Sequence, residues 1–277
     1  MLTFTRSSAY SVFKNTREKR DDTCRLYLHA AKNALCAGQL VLRDHADFEI
    51  TGVSFENFSA PFIIDENDVK FYYQDYIRYN DGEYPDILSD KEVCHISAEC
   101  SQSVWVVVDV RADALSGVCR FDAVIKTSVG EFVFPCSVKV YGVTVPDADK
   151  SSFCLEYFLD PFTPEMGERW GEGRLKFLSS YADSLTMIRN NSLDVCVIPL
   201  LTDGNSKRVG ETEWALDFTY VEKYIDFMIQ RVPTKRIAIR SVIACVNGDT
   251  LPVIDYDGSV FDEKYGTAVS EDRKSVV

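Results

Sequence analysis

The hydrophobic pattern of this chain changes near residue 147, and that change constrains its fold more than any other feature. Residues 24–147 consist of short runs rich in Val, Phe and Tyr, separated by Gly, Asn and Asp. Residues 148–271 instead alternate apolar runs with segments whose apolar residues recur at helical spacing. Two periods in one chain predict a β-sandwich domain over 24–147, followed by an α/β domain over 148–271.

Strand and turn signals describe the first domain further. The run "SVWVVVDVRA" (103–112) is dense enough in valine to predict a strand buried on both faces. "TSVGE" (127–131) predicts a turn in which Gly130 takes a positive φ, and Pro135 in the next strand predicts an edge or a bulge. Residues 1–23 lack such a pattern and are expected to form a frayed, solvated segment.

The second domain has a β-α-β-α-β pattern, which predicts a parallel sheet. Strands are expected over 153–160, 192–202 and 235–245. Each intervening helix has one apolar face, formed by Leu175, Leu178, Ala182, Leu185 and Ile188 in the first helix and by Phe218, Val221, Ile225 and Met228 in the second. Asp217 is a candidate first-turn or capping residue of the second helix. Three strands are too few to close a (β/α)₈ barrel, so the expected fold class is a β-sandwich followed by an incomplete (β/α)₈ barrel.

Charge and motifs exclude several classes of function. The formal net charge is −13 and the one basic run, Lys14 to Arg20, is short, so neither a nucleic-acid nor an anionic-membrane partner is expected. No P-loop, G-x-S-x-G or H-E-x-x-H motif occurs, and His29, His45 and His95 lack metal-ligand spacing. No cofactor and no metal are therefore expected.

The cysteines indicate a reducing compartment. The chain has nine, with no C-x-x-C pair, and Cys136, Cys196 and Cys245 lie inside apolar strand-like runs. No secretory pattern precedes the first domain and no apolar run reaches membrane-spanning length. Either the protein is cytoplasmic or its true start is missing.

The end of the chain has an explanation outside protein chemistry. Asp272 to Val277 ("DRKSVV") can be encoded by GAT-CGG-AAG-AGC-GTC-GTG, which matches a common sequencing adapter. We therefore expect 272–277 to be a non-native tail on a chain that continued. The alternative is a genuine short protein with a polar tail.

Several stretches, in order, resemble glycoside hydrolase family 123 and its bacterial relatives. They are "LYLHAAKNALCAGQLVLRD" (26–44), "EYPDIL" (83–88), "SVWVVVDVRADALSGVCRFDAVI" (103–125), "FCLEYFLDPF" (153–162), "MIRNN" (187–191) and "LDFTYVEKYID" (216–226). The resemblance covers roughly 24–245. Ala34, Cys36, Arg111 and Cys119 depart from the family pattern, all within the sandwich.

The resemblance implies hydrolysis of the glycosidic bond of an N-acetylhexosamine, typically N-acetylgalactosamine. The implied mechanism is substrate-assisted: the acetamido oxygen of the sugar attacks the anomeric carbon, while an adjacent Asp-Glu pair orients the acetamido group and protonates the leaving oxygen. No position of this chain corresponds to that pair. Asp255, Asp257, Asp262 and Glu263 follow the third strand in a polar loop and are expected to be solvated. The chain alone is expected to be inactive.

Substrate contacts are expected at the carboxyl ends of the parallel strands, where barrels build their sites. Glu156 and Asp160 end the first strand, Trp170 lies in the first βα loop, and Thr202 and Asp203 follow the second strand. For each, a loop-capping or solvent-exposed role is the alternative. Arg189 and Asn191 are interpreted as anchors of the helix end.

A different class of function is a non-catalytic carbohydrate-binding or structural sandwich module. It would use an aromatic patch formed by Phe71, Tyr72, Tyr73, Tyr76 and Tyr79. The alternative interpretation is that these rings fill the sandwich core and its rim.

Overall fold

The computed structural model describes residues 1–20, 22–59, 63–80, 82–157, 170–195, 197, 200–201, 205–210, 213–239, 243–245 and 252–254. The chain divides into two compact units, Met1–Pro146 and Asp147–Val277. No helix in the described part combines the length and apolar character needed to cross a bilayer.

The first unit consists of two five-stranded sheets. The first sheet has the order β1 (Leu2–Ser7), β3 (Ala34–Arg43), β8 (Ser101–Val110), β5 (Val69–Tyr79), β6 (Gly82–Ser89), with antiparallel neighbours. The second has the order β2 (Leu26–Lys32), β10 (Gly130–Thr144), β9 (Gly117–Thr127), β4 (Phe48–Glu56), β7 (Cys94–Ile96). In the second sheet, β2 runs parallel to β10 and the other pairs are antiparallel.

Both sheets contribute to one apolar core, so the unit is a β-sandwich. Alternate residues of each strand point inward, including Leu26, Leu28, Leu40, Leu42, Ile50, Tyr73, Val104, Val106, Val108, Phe121, Ile125, Phe134 and Val138. The valine run lies in β8, the central strand of its sheet, which explains its near-continuous burial. The predicted β-rich first half is confirmed.

The turn predictions are also confirmed. Gly130 has a φ of +147° and joins β9 to β10. Pro135 lies in the first part of β10, which pairs with β9 alone because the pairing with β2 begins at Cys136. A proline is tolerated there because one side of the strand has no neighbour to receive an N–H.

The expectation of a frayed segment over 1–23 is wrong for its first part. Leu2–Ser7 forms β1, which pairs with β3 along its whole length. Phe4 and Val12 are fully buried and pack with Val41 in a small separate cluster. A short edge strand carries little periodic signal of its own, because its partner is distant in sequence and only one of its faces is covered.

In the second unit, helices connect parallel strands. Glu156 forms a parallel bridge with Ser192, the first residue of β11 (Ser192–Val195), and β11 pairs in parallel with β14 (Arg236–Ile239). α1 (Glu172–Met187) and α2 (Thr219–Ile229) make the two crossovers. The β-α-β-α-β order is therefore present, while the described residues do not form a barrel.

All three predicted strands differ from the structure. Of 192–202, Ser192–Val195 forms β11, whereas Val197, Leu200 and Leu201 are helical. Of 235–245, Arg236–Ile239 forms β14, and β15 (Ile243–Cys245) pairs antiparallel with β16 (Pro252–Ile254). Of 153–160, only Glu156 is paired within the described part, and 158–160 lie outside it. A further antiparallel pair, β12 (Lys207–Arg208) and β13 (Trp214–Ala215), precedes α2, and single 3₁₀ turns span Glu66–Asp68 and Ala148–Lys150.

The helix faces are shifted from the predicted ones. In α1 the buried side chains are Arg174, Leu178, Ala182 and Leu185, and in α2 they are Val221, Tyr224 and Met228. Ile188 and Phe218 are exposed, and each lies just outside its helix, at the end of α1 and before the start of α2. The apolar residues of the sequence predict the buried face of a helix only approximately, because packing against the strands determines which face is buried.

Candidate functional site

The helices α1 and α2 begin at the same edge of the parallel strands. In a strand–helix–strand crossover, the helix starts at the carboxyl ends of the strands and ends at their amino ends. α1 ends at Met187, and the backbone N–H of Asn191 donates to Leu155 O beside the amino ends. Trp170 and Asp217, which precede α1 and α2, therefore lie at the carboxyl edge. α/β folds bind ligands at this edge, which makes it the candidate site.

Trp170 belongs to an aromatic–lysine cluster with Tyr220 and Lys223. The rings of Trp170 and Tyr220 stack with centroids 5.2 Å apart and 13° between their planes. Nζ of Lys223 lies 4.5 Å from the Trp170 centroid and 5.6 Å from that of Tyr220, so one ammonium contacts both rings. Trp170 remains partly exposed. An aromatic face beside an ammonium donor suits the apolar face and hydroxyl rim of a sugar.

Asp217 organises the loop beside this cluster. Its Oδ1 accepts hydrogen bonds from the backbone N–H and the hydroxyl of Thr219, at 3.0 and 2.6 Å. Its Oδ2 accepts from the backbone N–H and the side-chain amide of Asn205, at 3.0 and 3.2 Å. These donors, the Thr219 hydroxyl first, hold the pKa of the Asp217 carboxyl far below its usual value. Asp217 is not the cap residue itself, because Phe218 occupies that position, but its carboxylate accepts from Thr219, the first residue of α2.

Arg174 lies in the first turn of α1 and is almost completely buried. A buried guanidinium needs acceptors, since an unpaired buried charge is strongly unfavourable. The burial of Arg174 was not predicted from the sequence, since arginine is seldom fully buried. The available signal was spacing: Arg174, Leu178, Ala182 and Leu185 share one helical stripe.

Glu156 lies at the opposite edge from the one expected. It is in register with Ser192, the first residue of β11, and is therefore at the amino ends of the strands. Its Oε2 is 2.8 Å from Nη2 of Arg236, and its Oε1 accepts from the Ser192 hydroxyl at 3.2 Å. The expectation that Glu156 lies on the substrate side is corrected, because its partner Ser192 is the first residue of β11. Charged groups at the amino edge of such sheets usually serve stability.

The other expected site residues lie outside the described part of the chain. They are Asp160 and Asp203 and, with them, Thr202, Asp255, Asp257, Asp262 and Glu263. A substrate contact at Asp160 or Asp203 stays a prediction.

Asn191 anchors the amino edge, as interpreted. Its side-chain amide donates to the carbonyls of Ala148 and Phe153 at 2.7 and 2.8 Å, and its Oδ1 accepts from Leu155 N at 2.8 Å. Its own carbonyl accepts from the N–H groups of Lys235 and Arg236 at 2.8 and 3.2 Å.

The aromatic patch of the sandwich mainly fills its core and rim. Tyr73 is fully buried, and burial raises its pKa to about 12. Phe71 packs against the core, and the Tyr76 hydroxyl donates toward the carbonyls of Val12 and Ser101 at 3.1 and 3.2 Å. Only Tyr79 is widely exposed. A sugar platform built on Tyr76 would first have to break these contacts.

The histidines form ordinary surface pairs. Nδ1 of His95 is 2.8 Å from Glu49, His45 pairs with Glu99, and Nδ1 of His29 is 3.1 Å from the Tyr141 hydroxyl. Within the described residues, no three His, Cys, Asp or Glu side chains converge on a metal-sized site. Seven of the cysteines are free thiols, namely Cys24, Cys36, Cys94, Cys100, Cys119, Cys136 and Cys154.

Comparison with known proteins gives one informative likeness, and it concerns the fold. A solved family 123 glycoside hydrolase from Clostridium perfringens, studied for glycolipid glycan hydrolysis, superposes with a TM-score of 0.71 at 12% identity. The chain shares the fold of this hydrolase. The match covers 87% of this chain and 48% of the other, so the chain spans about half the length of that enzyme.

The remaining comparisons carry no argument. The CupB2 chaperone of Pseudomonas aeruginosa matches with a TM-score of 0.28 at 6% identity, over 43% of this chain and 53% of its own. The periplasmic chaperone SfaE matches with 0.27 at 5%, over 44% and 58%. No protein-family model and no curated protein matches the chain.

One departure from the family pattern has a structural explanation. Nη1 of Arg111, where the family commonly has proline, contacts both carboxylate oxygens of the buried Asp68, at 2.9 and 3.0 Å. Asp68 directly precedes β5 and Arg111 directly follows β8, so this pair ties together two neighbouring strands of the first sheet. The departure therefore concerns the sandwich and not the candidate site.

Proposed function

We propose that this chain comes from a retaining, substrate-assisted N-acetyl-β-hexosaminidase resembling N-acetylgalactosaminidases. In this proposal the sandwich precedes the first strands of a (β/α)₈ barrel, whose remainder lies outside this chain. The observation that carries the proposal is the fold shared with a family 123 hydrolase over 87% of the chain, together with the ordered sequence motifs of that family. A shared fold does not specify an activity, so the proposal also depends on the residues of the candidate site.

The substrate sugar is proposed to bind at the carboxyl edge of the parallel strands. Trp170 offers a partly exposed indole face there, and Lys223 can donate to sugar hydroxyls from beside it. The network around Asp217 fixes the loop that leads into α2. Asp160 and Asp203 follow strands at this same edge in the sequence and are proposed as further hydroxyl contacts.

Hydrolysis needs functional groups in addition to these proposed substrate contacts. In substrate-assisted hydrolysis the acetamido oxygen is the nucleophile, one carboxylate orients the acetamido group, and a neutral carboxylic acid protonates the leaving oxygen. No residue of this chain matches the Asp-Glu pair of the family. The chain by itself is therefore proposed to bind the sugar without hydrolysing it.

Two measurements on the full chain test this proposal. With nitrophenyl N-acetyl-β-galactosaminide we expect no turnover above the background, and robust hydrolysis would contradict the assignment of the acid pair to the missing part. Calorimetric titration with N-acetylgalactosamine should give a Kd on the order of 1 mM. Absence of binding would count against a substrate site in this part of the parent protein.

Single substitutions test where N-acetylgalactosamine binds. Trp170→Leu and Lys223→Met should each weaken binding of N-acetylgalactosamine by roughly tenfold, because each removes one contact worth about 1.4 kcal/mol. Trp105→Phe is the matched control, since Trp105 lies in the sandwich and donates to Gln74 Oε1 at 3.0 Å. Circular dichroism establishes that each variant is folded. Unchanged affinity in both folded site variants would place the sugar elsewhere.

A further inference from the structure

A concave basic surface lies on the outer face of the second sheet of the sandwich, far in sequence from the candidate site. Its centre is β10, flanked by β2 on one side and β9 on the other. Register places Tyr27, Ser137 and Arg120 in one row across the three strands, and His29, Lys139 and Val118 in the next. Apart from the half-buried Ser137, these side chains are exposed. We call this surface the sheet groove.

The groove is concave because its central strand carries small side chains where its neighbours carry long ones. Pro135 and Ser137 of β10 lie between the side chains of β2 and β9. The strands on either side are about 10 Å apart, so Tyr27 and Arg120 rise as walls around Ser137. The groove is open to solvent on one side and has a volume of about 550 Å³, within the range of small-ligand sites.

The charge of the groove is opposite to that of the molecule. Arg25, Arg120 and Lys139 line it, whereas the whole chain has a net charge of −13. None of the three makes an ion pair with a carboxylate of the described residues. The one carboxylate in the lining, Asp122, accepts a hydrogen bond from the Asn57 amide at 2.9 Å. Clustered cations without partner carboxylates attract anions to the surface that carries them.

The polar and aromatic groups define the ligand further. Tyr27 presents a ring that is 58% exposed, and Ser137 and Asn57 offer short polar side chains beside it. Guanidinium groups bind oxyanions through paired N–H donors, which favours a carboxylate or a sulfate ester over a neutral group. Asp122 disfavours a second negative charge. The site thus suits one monoanionic group attached to a ring that can lie against Tyr27.

We propose that the sheet groove binds an acidic saccharide, one that carries a single carboxylate or sulfate group. Arg120 and Lys139 contact the anionic group, and Tyr27 contacts the sugar ring. The choice of a saccharide rests on the proposed glycan-directed function, whereas the requirement for an anion rests on the groove itself. Binding here is independent of hydrolysis, so either proposal can fail without the other.

The test is calorimetric titration of the full chain with sialyllactose, sulfated lactose and lactose at low salt. We expect a Kd on the order of 1 mM for at least one acidic saccharide, no detectable binding of lactose, and weaker binding as salt is added. Sialyllactose and sulfated lactose identify which anionic group the groove prefers. Equal binding of lactose, or no binding of either acidic sugar, would overturn the proposal.

Two double variants distinguish binding in the sheet groove from a general effect of positive charge. The double variant Arg120→Gln with Lys139→Gln should lose binding by roughly tenfold or more, because two charged hydrogen bonds are removed from exposed positions. The control is Arg78→Gln with Lys126→Gln, which removes the same charge at exposed positions outside the groove. Equal losses in both double variants would refute the site. Tighter binding of a single-stranded oligonucleotide than of either acidic sugar would also refute it.

Discussion

Glu156 and Asp217 are both carboxylates held by several donors, but they lie at opposite edges of the parallel strands. Glu156 joins the starts of the strands through Ser192 and Arg236. Asp217 fixes the start of α2 at the carboxyl edge. The chemistry of the two side chains is the same, so only their positions along the chain path distinguish a structural role from one beside a ligand.

Replacing Glu156 with glutamine should therefore reduce stability and leave sugar binding unchanged. The change keeps the size of the side chain and removes the ion pair with Arg236, whose side chain is about half exposed. We expect a loss of about 1 kcal/mol in the free energy of unfolding, measured with urea. Glu131→Gln, at an exposed position of β10, should have no effect. Normal stability with weaker binding of N-acetylgalactosamine would instead support the substrate contact first expected for Glu156.

Asp217 should contribute stability that depends on pH. Its pKa in the folded protein is lowered by the Thr219 hydroxyl and by the N–H groups of Asn205 and Thr219. A lowered pKa means that the ionised form stabilises the fold above the unfolded value of about 4, and that this contribution disappears as pH falls through the folded value. Asp217→Asn should thus be less stable than the wild type near neutral pH, with the difference vanishing in strong acid. Melting temperatures across pH test this, and a constant difference would contradict it.

At the scale of elements, one side chain connects three segments of the second unit. Asn191 follows α1 and bonds to the backbone of 148, 153 and 155, while its carbonyl receives the N–H groups that begin β14. The polypeptide before the first paired strand position has little regular structure of its own, so this amide holds it against the sheet.

Asn191→Ala should accordingly destabilise the second unit by about 2–3 kcal/mol, because three partly buried hydrogen bonds lose the Asn191 side chain, which is itself buried. The free energy of unfolding from urea titration measures it. Asn205→Ala removes an exposed amide of the same unit that makes one side-chain bond, and should cost less than about 1 kcal/mol. Equal effects of the two substitutions would show that Asn191 is not the anchor.

The elements that could be predicted are those whose signal is local. Gly130 predicts its turn because glycine readily takes a positive φ, and the valine run of β8 predicts a central strand because of its composition. The pairing of β1 with β3 and the burial of Arg174 depend on partners far along the chain, so no local pattern contains them. The position of Glu156 at the amino edge could not be predicted, because composition does not determine where its strand begins. The sheet groove was missed for the same reason: its residues come from three separate strands.

At the scale of the whole molecule, each of the two units carries one of the proposed binding sites. The second unit carries the carboxyl edge with Trp170, where the proposed hydrolase would hold its N-acetylhexosamine. The sandwich carries the basic groove, whose charge is opposite to that of the molecule as a whole. Repulsion from the acidic remainder would weaken non-specific binding of anions and leave the local contacts of the groove to select one.

The sandwich also depends on the start of the chain. Phe4 is fully buried beside Val12 and Val41, and Gln39 donates to the carbonyls of Ser7 and Tyr10 at 2.9 and 2.7 Å. Removing residues 1–23 would expose β3 as a new edge and leave the buried amide of Gln39 without these acceptors. Both consequences are unfavourable, so the sandwich should be clearly less stable without this segment.

A point substitution isolates this contribution from the loss of the strand. Phe4→Ala should reduce the free energy of unfolding of the sandwich by about 3–4 kcal/mol, the usual cost of emptying a buried phenylalanine site. Tyr10→Ala, in the same segment but largely exposed, should leave it unchanged. Trp105 is the single tryptophan before residue 147, so its emission in a Trp170→Phe, Trp214→Phe background reports on the sandwich alone during urea unfolding. If Phe4→Ala and the deletion of 1–23 both leave the urea midpoint unchanged, the segment is frayed in solution and β1 does not belong to the stable fold.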